Sequence, residues 1–151
     1  MKTKQNTLLS KFSYVKHKNY KYVLTADVKV KLHRDWVFKF NLIANGSVRA
    51  IIHNDILTIL KGYAWDGCTG APDFEGTLLG SLLHDVLFQF GSLNLWTFEE
   101  ANEIFYIQLK QEKFKLAWVY YRAVCSFGRL FYGKDVVYKE SLIPNEYRSS
   151  V

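Results

Sequence analysis

The hydrophobic residues of this 151-residue chain change their spacing near Pro72, and that change limits the fold more than any other feature. Between residues 20 and 61, apolar residues recur at alternate positions, which is typical of strands with one buried face. Beyond Pro72 they recur at steps of three and four residues, which is typical of helices with one apolar stripe. Strands that precede helices, rather than alternating with them, indicate an α+β fold.

The β-rich half is predicted to be an N-terminal antiparallel β-meander of about four strands. Its clearest signal is Asn45-Gly46, which lies between two apolar runs and is the favoured sequence of a type I′ hairpin turn. A second turn is predicted at residues 53–55. The predicted strands are residues 20–32, 36–42, 47–52 and 56–61.

Three packed helices are predicted to follow the meander. The first has Asp73 as its N-cap and stops before Gly91. The second starts at Thr97, where Thr-Phe-Glu-Glu has the form of a capping box, and runs to about residue 112. The third, residues 116–132, is apolar nearly all round, so it is predicted to be the most buried of the three.

A chain of this length is most simply one domain. The uneven distribution of charge along the sequence distinguishes its N-terminal segment from the rest. The first 26 residues hold six lysines and no acid, whereas the rest carries 14 basic and 14 acidic residues. We predict a basic N-terminal arm at residues 1–19, a single α+β domain at 20–134 and a C-terminal tail at 135–151. Such an arm can contact nucleic acid, an anionic surface or an acidic partner, or it is simply a solvated terminus.

The two cysteines lie far apart in the sequence, and the chain opens without the apolar core of a secretory signal peptide. No stretch reaches the roughly 18 uninterrupted apolar residues of a membrane-spanning helix. We therefore expect a soluble protein with free thiols, in a reducing compartment, without a transmembrane segment.

The stretch of residues 62–90 carries the strongest signal of a functional site. On the first predicted helix, Gly76, Gly80 and His84 are spaced four apart and share one face, which leaves a groove below the imidazole. Asp85 follows directly, but successive helical side chains diverge by about 100°, so the pair must use different partners. His84 is a candidate general base, and Asp85 is a candidate metal ligand or hydrogen-bond anchor. Alternatively, both side chains only hold the preceding loop.

That loop, residues 63–72, is rich in glycine and otherwise apolar, so its polar side chains are candidate site residues. Asp66 and Thr69 are predicted to point at a ligand or reacting group. The alternative for Asp66 is an Asx-turn that satisfies the amides of the loop itself. Cys68 is either a nucleophile near the histidine or a small buried residue.

Carboxylates near a single histidine indicate a hard divalent cation rather than structural zinc. Asp66 and Asp85 are the candidate metal ligands, with Ca²⁺, Mg²⁺ or Mn²⁺ as the candidate ion. Glu99 and Glu103 share one face of the second helix, so one of them can approach His84 or the metal if the helices pack antiparallel. The alternative is that both glutamates lie on a solvated face.

Four ordered motifs resemble a family of small uncharacterised phage and prophage proteins that share a domain of unknown function. They are GYAWDGCTGAP at 62–72, LLHDVLF at 82–88, ANEIF at 101–105 and YRAVCSFG at 121–128. The chain departs from the family pattern by an extra residue before Pro72, by Phe88 where tyrosine is usual and by Asn102 where aspartate is usual. The resemblance implies a phage-encoded protein without an established activity, located in the host cytoplasm or in the virion.

The Gly-rich loop that begins at a tyrosine, followed by a helical His-Asp pair, is also similar to the calcium loop and catalytic helix of secreted phospholipases A2. This likeness implies that His84 activates water and that Asp85 holds Ca²⁺ together with loop carbonyls near residues 65, 67 and 70. It also implies that an acid of the second helix orients the histidine. The absence of a disulfide framework and the β-rich first half depart from those enzymes.

Together these features predict a small, metal-assisted hydrolase with a His-Asp site. The alternative is a non-enzymatic virion component or host-factor-binding protein, in which the motif is structural. Its interaction surface would then include the lysine arm and four aromatic residues, namely Tyr14, Tyr20, Tyr22 and Trp36. Nucleic-acid binding through the arm is a third possibility.

Overall fold

A computed structural model describes residues 4–18, 21–68 and 71–142 and confirms the α+β class. Antiparallel strands form two sheets and are followed by three α-helices. The strands are β1 (Thr7–Leu8), β2 (Tyr14–Lys16), β3 (Tyr22–Leu24), β4 (Val28–Lys31), β5 (Lys39–Ala44), β6 (Ser47–His53), β7 (Ile56–Ile59), β8 (Ala64–Trp65) and β9 (Val137–Ser141). The helices are α1 (Leu78–Gln89), α2 (Phe98–Gln111) and α3 (Ala117–Phe127).

The larger sheet has six strands in the order β1-β4-β7-β6-β5-β9, and the smaller sheet has the order β2-β3-β8. The β5–β6 hairpin confirms the predicted turn, because Asn45 and Gly46 have φ angles of 53° and 76°, as a type I′ turn requires. The second predicted turn is also present, with Asn54 at φ 57°. The sheet residues, α1 and the first half of α2 share one hydrophobic core.

The predicted strand 20–32 is wrong as one element, because the chain turns between β3 and β4 and the two strands enter different sheets. Asp27 stabilises this turn: its Oδ1 accepts the Lys61 backbone N–H at 2.7 Å. The Ser13 hydroxyl is also hydrogen-bonded to the Thr25 hydroxyl at 2.5 Å. Alternating hydrophobicity continues through the turn, so the sequence pattern does not reveal the break.

The segment predicted to be a basic N-terminal arm contributes strands to both sheets within residues 4–18. β1 pairs with β4, and β2 pairs with β3. Asn6 is buried, and its Nδ2 donates to the Ile104 carbonyl and the Gln108 side chain, each at 3.2 Å. The lysines of this segment are mostly exposed, so the sequence does not indicate the packing. The side chains of an edge strand can be charged while its backbone pairs with a neighbouring strand. β9, from the predicted tail, likewise pairs with β5.

The first two helices are well enclosed. α1 is buried along ten of its twelve residues and packs against α2. The capping box of α2 is confirmed, since the Thr97 hydroxyl accepts the Glu100 N–H at 3.0 Å and Glu100 accepts the Thr97 N–H at 3.0 Å. Asp73 does not cap α1, which is preceded by a 3-10 turn at Glu75–Thr77 that starts after Phe74.

The prediction that the third helix is the most buried is wrong. Within α3 only Ala117 and Tyr120 are buried, and its outer face is exposed. The apolar content of a helix shows that it can be buried, but burial also requires another element to cover it. Here α2 packs on one side of α3. Among the described residues, no helix is long and apolar enough to cross a membrane.

Candidate functional site

An open cavity of about 1220 Å³ lies between the loop that follows β7, α1 and α3. Both polar and apolar side chains line it. Carboxylates and an amide come from Asp66, Asp85, Gln89 and Asp135. An apolar wall is built from the α3 side chains Val119, Ala123, Val124 and Phe127, with Phe131 beyond them. Both members of the predicted His-Asp pair line this cavity, so the structure brings them to one place.

Asp73 anchors the loop beside the cavity, a role that the sequence did not indicate. Its Oδ1 accepts the Cys68 backbone N–H at 2.7 Å, and its Oδ2 accepts from Lys21 Nζ at 3.0 Å and from the Tyr22 hydroxyl at 3.3 Å. The loop is also tied to α1, because Trp65 Nε1 donates to the Ser81 hydroxyl at 3.1 Å.

Gly67 makes this anchoring possible. It has φ 75°, and a Cβ at this position would overlap the Asp73 carboxylate. We expect Gly67→Ala to lower the free energy of unfolding by about 2–4 kcal/mol, because it adds backbone strain and displaces the carboxylate. Gly62→Ala is the matched control, since Gly62 has φ 93° but open space around its Cβ position, so only the strain applies. Equal losses in denaturant unfolding of the two variants would contradict the anchoring role.

His84 is held by α2 rather than by the loop. Its Nε2 lies 2.9 Å from Asn102 Oδ1, and Asn102 Nδ2 points towards Cys125 Sγ at 3.8 Å. With the amide in this orientation, His84 Nε2 carries the proton and Nδ1 keeps its lone pair. The ring packs against Phe88 and Phe105, with centroid distances of 3.9 and 4.8 Å. Burial lowers the pKa of His84 to about 4, although the Asn102 hydrogen bond acts in the opposite direction.

This contact makes the pKa of His84 sensitive to residue 102. We expect Asn102→Asp to raise that pKa by about 2 units or more, because a carboxylate 2.9 Å from Nε2 favours the imidazolium. Histidine-detected NMR titration measures the shift, and the exposed His17, His33 and His53 serve as internal references. An unchanged His84 titration in a folded variant would mean that the imidazole does not face residue 102.

Asp85 has the most unusual environment of the predicted site residues. Its side chain is half-buried, lines the cavity and forms no hydrogen bond or ion pair with any residue in 4–18, 21–68 or 71–142. Burial raises the pKa of this carboxyl to about 8, and the negative charges of Asp66 and Asp73 add to the increase. Asp85 is therefore mostly protonated at neutral pH.

Asp66 is exposed at the edge of the cavity, and Thr69 lies outside the described residues. Burial raises the pKa of the Cys68 thiol to about 11, which keeps the thiol protonated at neutral pH and favours the alternative of a small packed residue over a nucleophile.

The predicted approach of a second-helix acid to the histidine is also wrong. Glu99 binds Arg129 at 2.9 Å, and Glu103 binds Arg34 at 3.3 Å, so both carboxylates pair elsewhere. Asn102 occupies the orienting position instead. The three-to-four-residue period places residue 102 on the inner face of α2, and this was the available signal for it.

The metal hypothesis rests on two carboxylates. Asp66 and Asp85 line the same cavity, and the charge of Asp66 raises the pKa of Asp85, so the two interact electrostatically. Within the part of the chain that the structure describes, no group of three or more His, Cys, Asp or Glu side chains is placed to hold a metal ion. A divalent cation on Asp66 and Asp85 therefore stays a prediction.

No family model, no curated protein and no solved structure matches this chain. The chemistry of the cavity is therefore inferred from the residues that line it. Three of its features matter most: a protonated carboxyl, a neutral imidazole and an apolar wall.

Proposed function

We propose that this protein is a small phage-encoded hydrolase that uses general acid–base catalysis, with Asp85 as the acid and His84 as the base. The observation that carries the proposal is the Asp85 carboxyl, which is half-buried in the cavity and has no partner among the described residues. The resemblance of the loop and helix motifs to phage proteins supports the phage origin.

The environment of Asp85 suits a proton donor. A carboxyl without a hydrogen-bond partner in a poorly solvated place costs folding energy, so the fold alone gives no reason for it. A pKa of about 8 keeps the proton in place at neutral pH and still allows its transfer to a leaving group. This is the property expected of a general acid.

His84 supplies the complementary group. Its Nε2–H donates to Asn102 Oδ1, which leaves Nδ1 to accept a proton from water. The oxygen of that water then attacks the electrophilic centre of the substrate, while Asp85 protonates the departing oxygen or nitrogen. The low pKa of His84 keeps its imidazole neutral but also makes it a weak base, so Asp85 is expected to contribute more to the rate.

The shape of the cavity supports a substrate with an apolar part. The α3 wall presents aliphatic and aromatic side chains, and the carboxyl group of Asp85 lies in the same cavity. A substrate with a hydrolysable bond next to an acyl or aryl group fits this arrangement, because its apolar part can pack on the wall.

A hydrolysis screen tests the proposal directly. Wild-type protein, Asp85→Asn and Asp135→Asn are each assayed with p-nitrophenyl esters, phosphodiesters and glycosides. We expect turnover of at least one class by wild type and by Asp135→Asn, and its loss in Asp85→Asn. Asp135 is the matched control because it is a carboxylate of the same cavity that accepts from Gln89 Nε2 at 3.2 Å. Equal turnover by all three proteins would contradict the proposal.

The second candidate is a non-enzymatic virion component or host-factor-binding protein in which His84 is structural. Its specific support is that His84 is only 9% exposed and is enclosed by Phe88, Phe105 and Asn102. Copurification with virions or with a host protein, without any hydrolysis, would favour this candidate.

The aromatic residues predicted to form the binding surface of such a protein are mostly packed inside. Tyr22 is buried in the core, where its ring lies 5.3 Å from the Trp65 ring. Trp36 stacks on Trp96 with a centroid distance of 5.4 Å. Tyr14 is half-buried in the same cluster as Tyr22, and Tyr20 lies outside the described residues. Tyr14, Tyr22 and Trp36 therefore do not present an exposed aromatic binding surface.

Thermal melts with cations test the metal hypothesis separately. Wild type, Asp85→Asn and Asp66→Asn are melted with EDTA and with millimolar Ca²⁺, Mg²⁺ or Mn²⁺. If Asp66 and Asp85 bind a cation, the wild-type midpoint rises by several degrees and neither variant responds, because an ion that binds only the folded state stabilises it. A cation response that persists in both variants would place the ion elsewhere.

A further inference from the structure

The side of α3 that borders the cavity, together with the 3-10 turn after it, carries a row of exposed apolar side chains. The row, which we call the α3 stripe, consists of Leu116, Val119, Ala123, Phe127, Leu130 and Phe131. Steps of three and four residues place these side chains on one face. The large members of the stripe are between 47% and 72% exposed, so they are not part of the core.

Basic side chains accompany the α3 stripe. Between residues 113 and 134 the chain holds five Lys and Arg residues and no Asp or Glu. Arg129 is paired with Glu99, but Lys113, Lys115, Arg122 and Lys134 form no ion pair with a described residue. Trp118, also exposed, lies on a different face of α3, where its ring contacts Tyr106 and Tyr121 and Arg122 lies 5.7 Å from its centroid.

We propose that the α3 stripe and its basic neighbours dock on the surface of an anionic phospholipid bilayer. Apolar side chains can enter the region between headgroups and acyl chains, while the long Lys and Arg side chains reach back to the phosphates. The positive charge of the basic residues near the stripe is complementary to the negative charge of the lipid surface.

The same observations weigh against other occupants. A second copy of the chain, docked through the same face, would bring the unpaired cations of both copies together, which is unfavourable. Nucleic acid matches the cations, but the aliphatic side chains of Leu116, Val119 and Leu130 can neither stack on bases nor donate hydrogen bonds. An anionic lipid surface uses both the apolar and the basic residues.

Docking would also bring the cavity close to the lipid surface, because Val119, Ala123, Phe127 and Phe131 belong both to the stripe and to the cavity wall. The docking itself does not depend on hydrolysis. It is measured by binding alone, so failure of the proposed enzymatic function and failure of docking are distinguishable.

The test is flotation of the full chain with vesicles of phosphatidylcholine, with or without phosphatidylglycerol. We expect binding to the anionic vesicles only. Phe127→Ser/Leu130→Ser and Arg122→Glu should each lower the partition coefficient by about tenfold or more. Val37→Ser is the matched control for lost apolar surface, because Val37 is an exposed aliphatic residue outside the stripe. Circular dichroism confirms that each variant is folded, which the exposure of these residues leads us to expect.

A second variant separates the stripe from the N-terminal lysines. Lys11→Gln/Lys16→Gln/Lys18→Gln removes three exposed charges within and around the N-terminal strand β2 and should retain most of the binding. No binding to anionic vesicles, binding lost only in the lysine variant, or dimerisation or nucleic-acid binding in place of lipid binding would overturn the proposal.

Discussion

Replacing Asp85 by asparagine is expected to stabilise the protein above neutral pH while it removes the proposed catalytic acid. The free energy of unfolding is expected to increase by about 2–3 kcal/mol at pH 8 to 9, as measured by denaturant unfolding. The full difference between pKa values of 3.8 and about 8, converted at about 1.4 kcal/mol per pKa unit, corresponds to a free energy about twice as large as this gain. We expect roughly half of it because the side chain keeps some contact with water.

The pH dependence of this gain has a defined sign. The pKa of Asp85 is raised from 3.8 in the unfolded chain to about 8 in the folded protein, so the folded state binds the proton more tightly. Wild-type stability due to this group is therefore fully present below about pH 4 and is lost as the pH rises through 8. The difference in the free energy of unfolding between Asp85→Asn and wild type should therefore increase as the pH rises above 4 and become constant above pH 8.

Asp135→Asn is the control for a general charge effect, because Asp135 is an exposed carboxylate on the same cavity. Its stability should stay within about 0.5 kcal/mol of wild type at each pH. A loss of stability in Asp85→Asn at every pH would contradict the prediction and would identify Asp85 as an anchor for the loop. That result would favour the non-enzymatic candidate.

Hydrolytic activity, once a substrate class is found, is expected to follow a bell-shaped pH profile with limbs near pH 4 and pH 8. The acidic limb reports His84, which must be neutral, and the alkaline limb reports Asp85, which must be protonated. Asp85→Asn should lower kcat by about 10²- to 10⁴-fold and remove the alkaline limb. His84→Gln should remove the acidic limb, because glutamine can still donate to Asn102 but cannot accept the proton.

The same profile distinguishes acid catalysis from metal assistance. If Asp85 binds a cation instead, it must be ionised, so activity would rise with pH towards 8 and would depend on the added ion. Loss of folding in His84→Gln would identify His84 as a structural residue. Asp135→Asn should keep kcat within about threefold of wild type, since its carboxylate is not proposed to transfer a proton.

The sequence determined those parts of the structure that depend on neighbouring residues. The change of hydrophobic period at Pro72 predicted strands followed by helices, and the α+β class is confirmed. Asn45-Gly46 predicted its hairpin, and Thr97 with Glu100 predicted the capping box of α2. Each of these signals works through backbone conformation or hydrogen bonds within a few residues, so no distant contact is needed to interpret it.

Only the tertiary structure decided which residues meet across the fold. It paired His84 with Asn102, used Asp73 to hold Cys68 and Lys21, and left the outer face of α3 uncovered. It also determined the protonation of Asp85, because the pKa of a carboxyl depends on the solvent and charges around it rather than on its place in the sequence. Hydropathy identifies a side chain that can be buried, but burial requires another element to pack on it, and that is a long-range property of the chain.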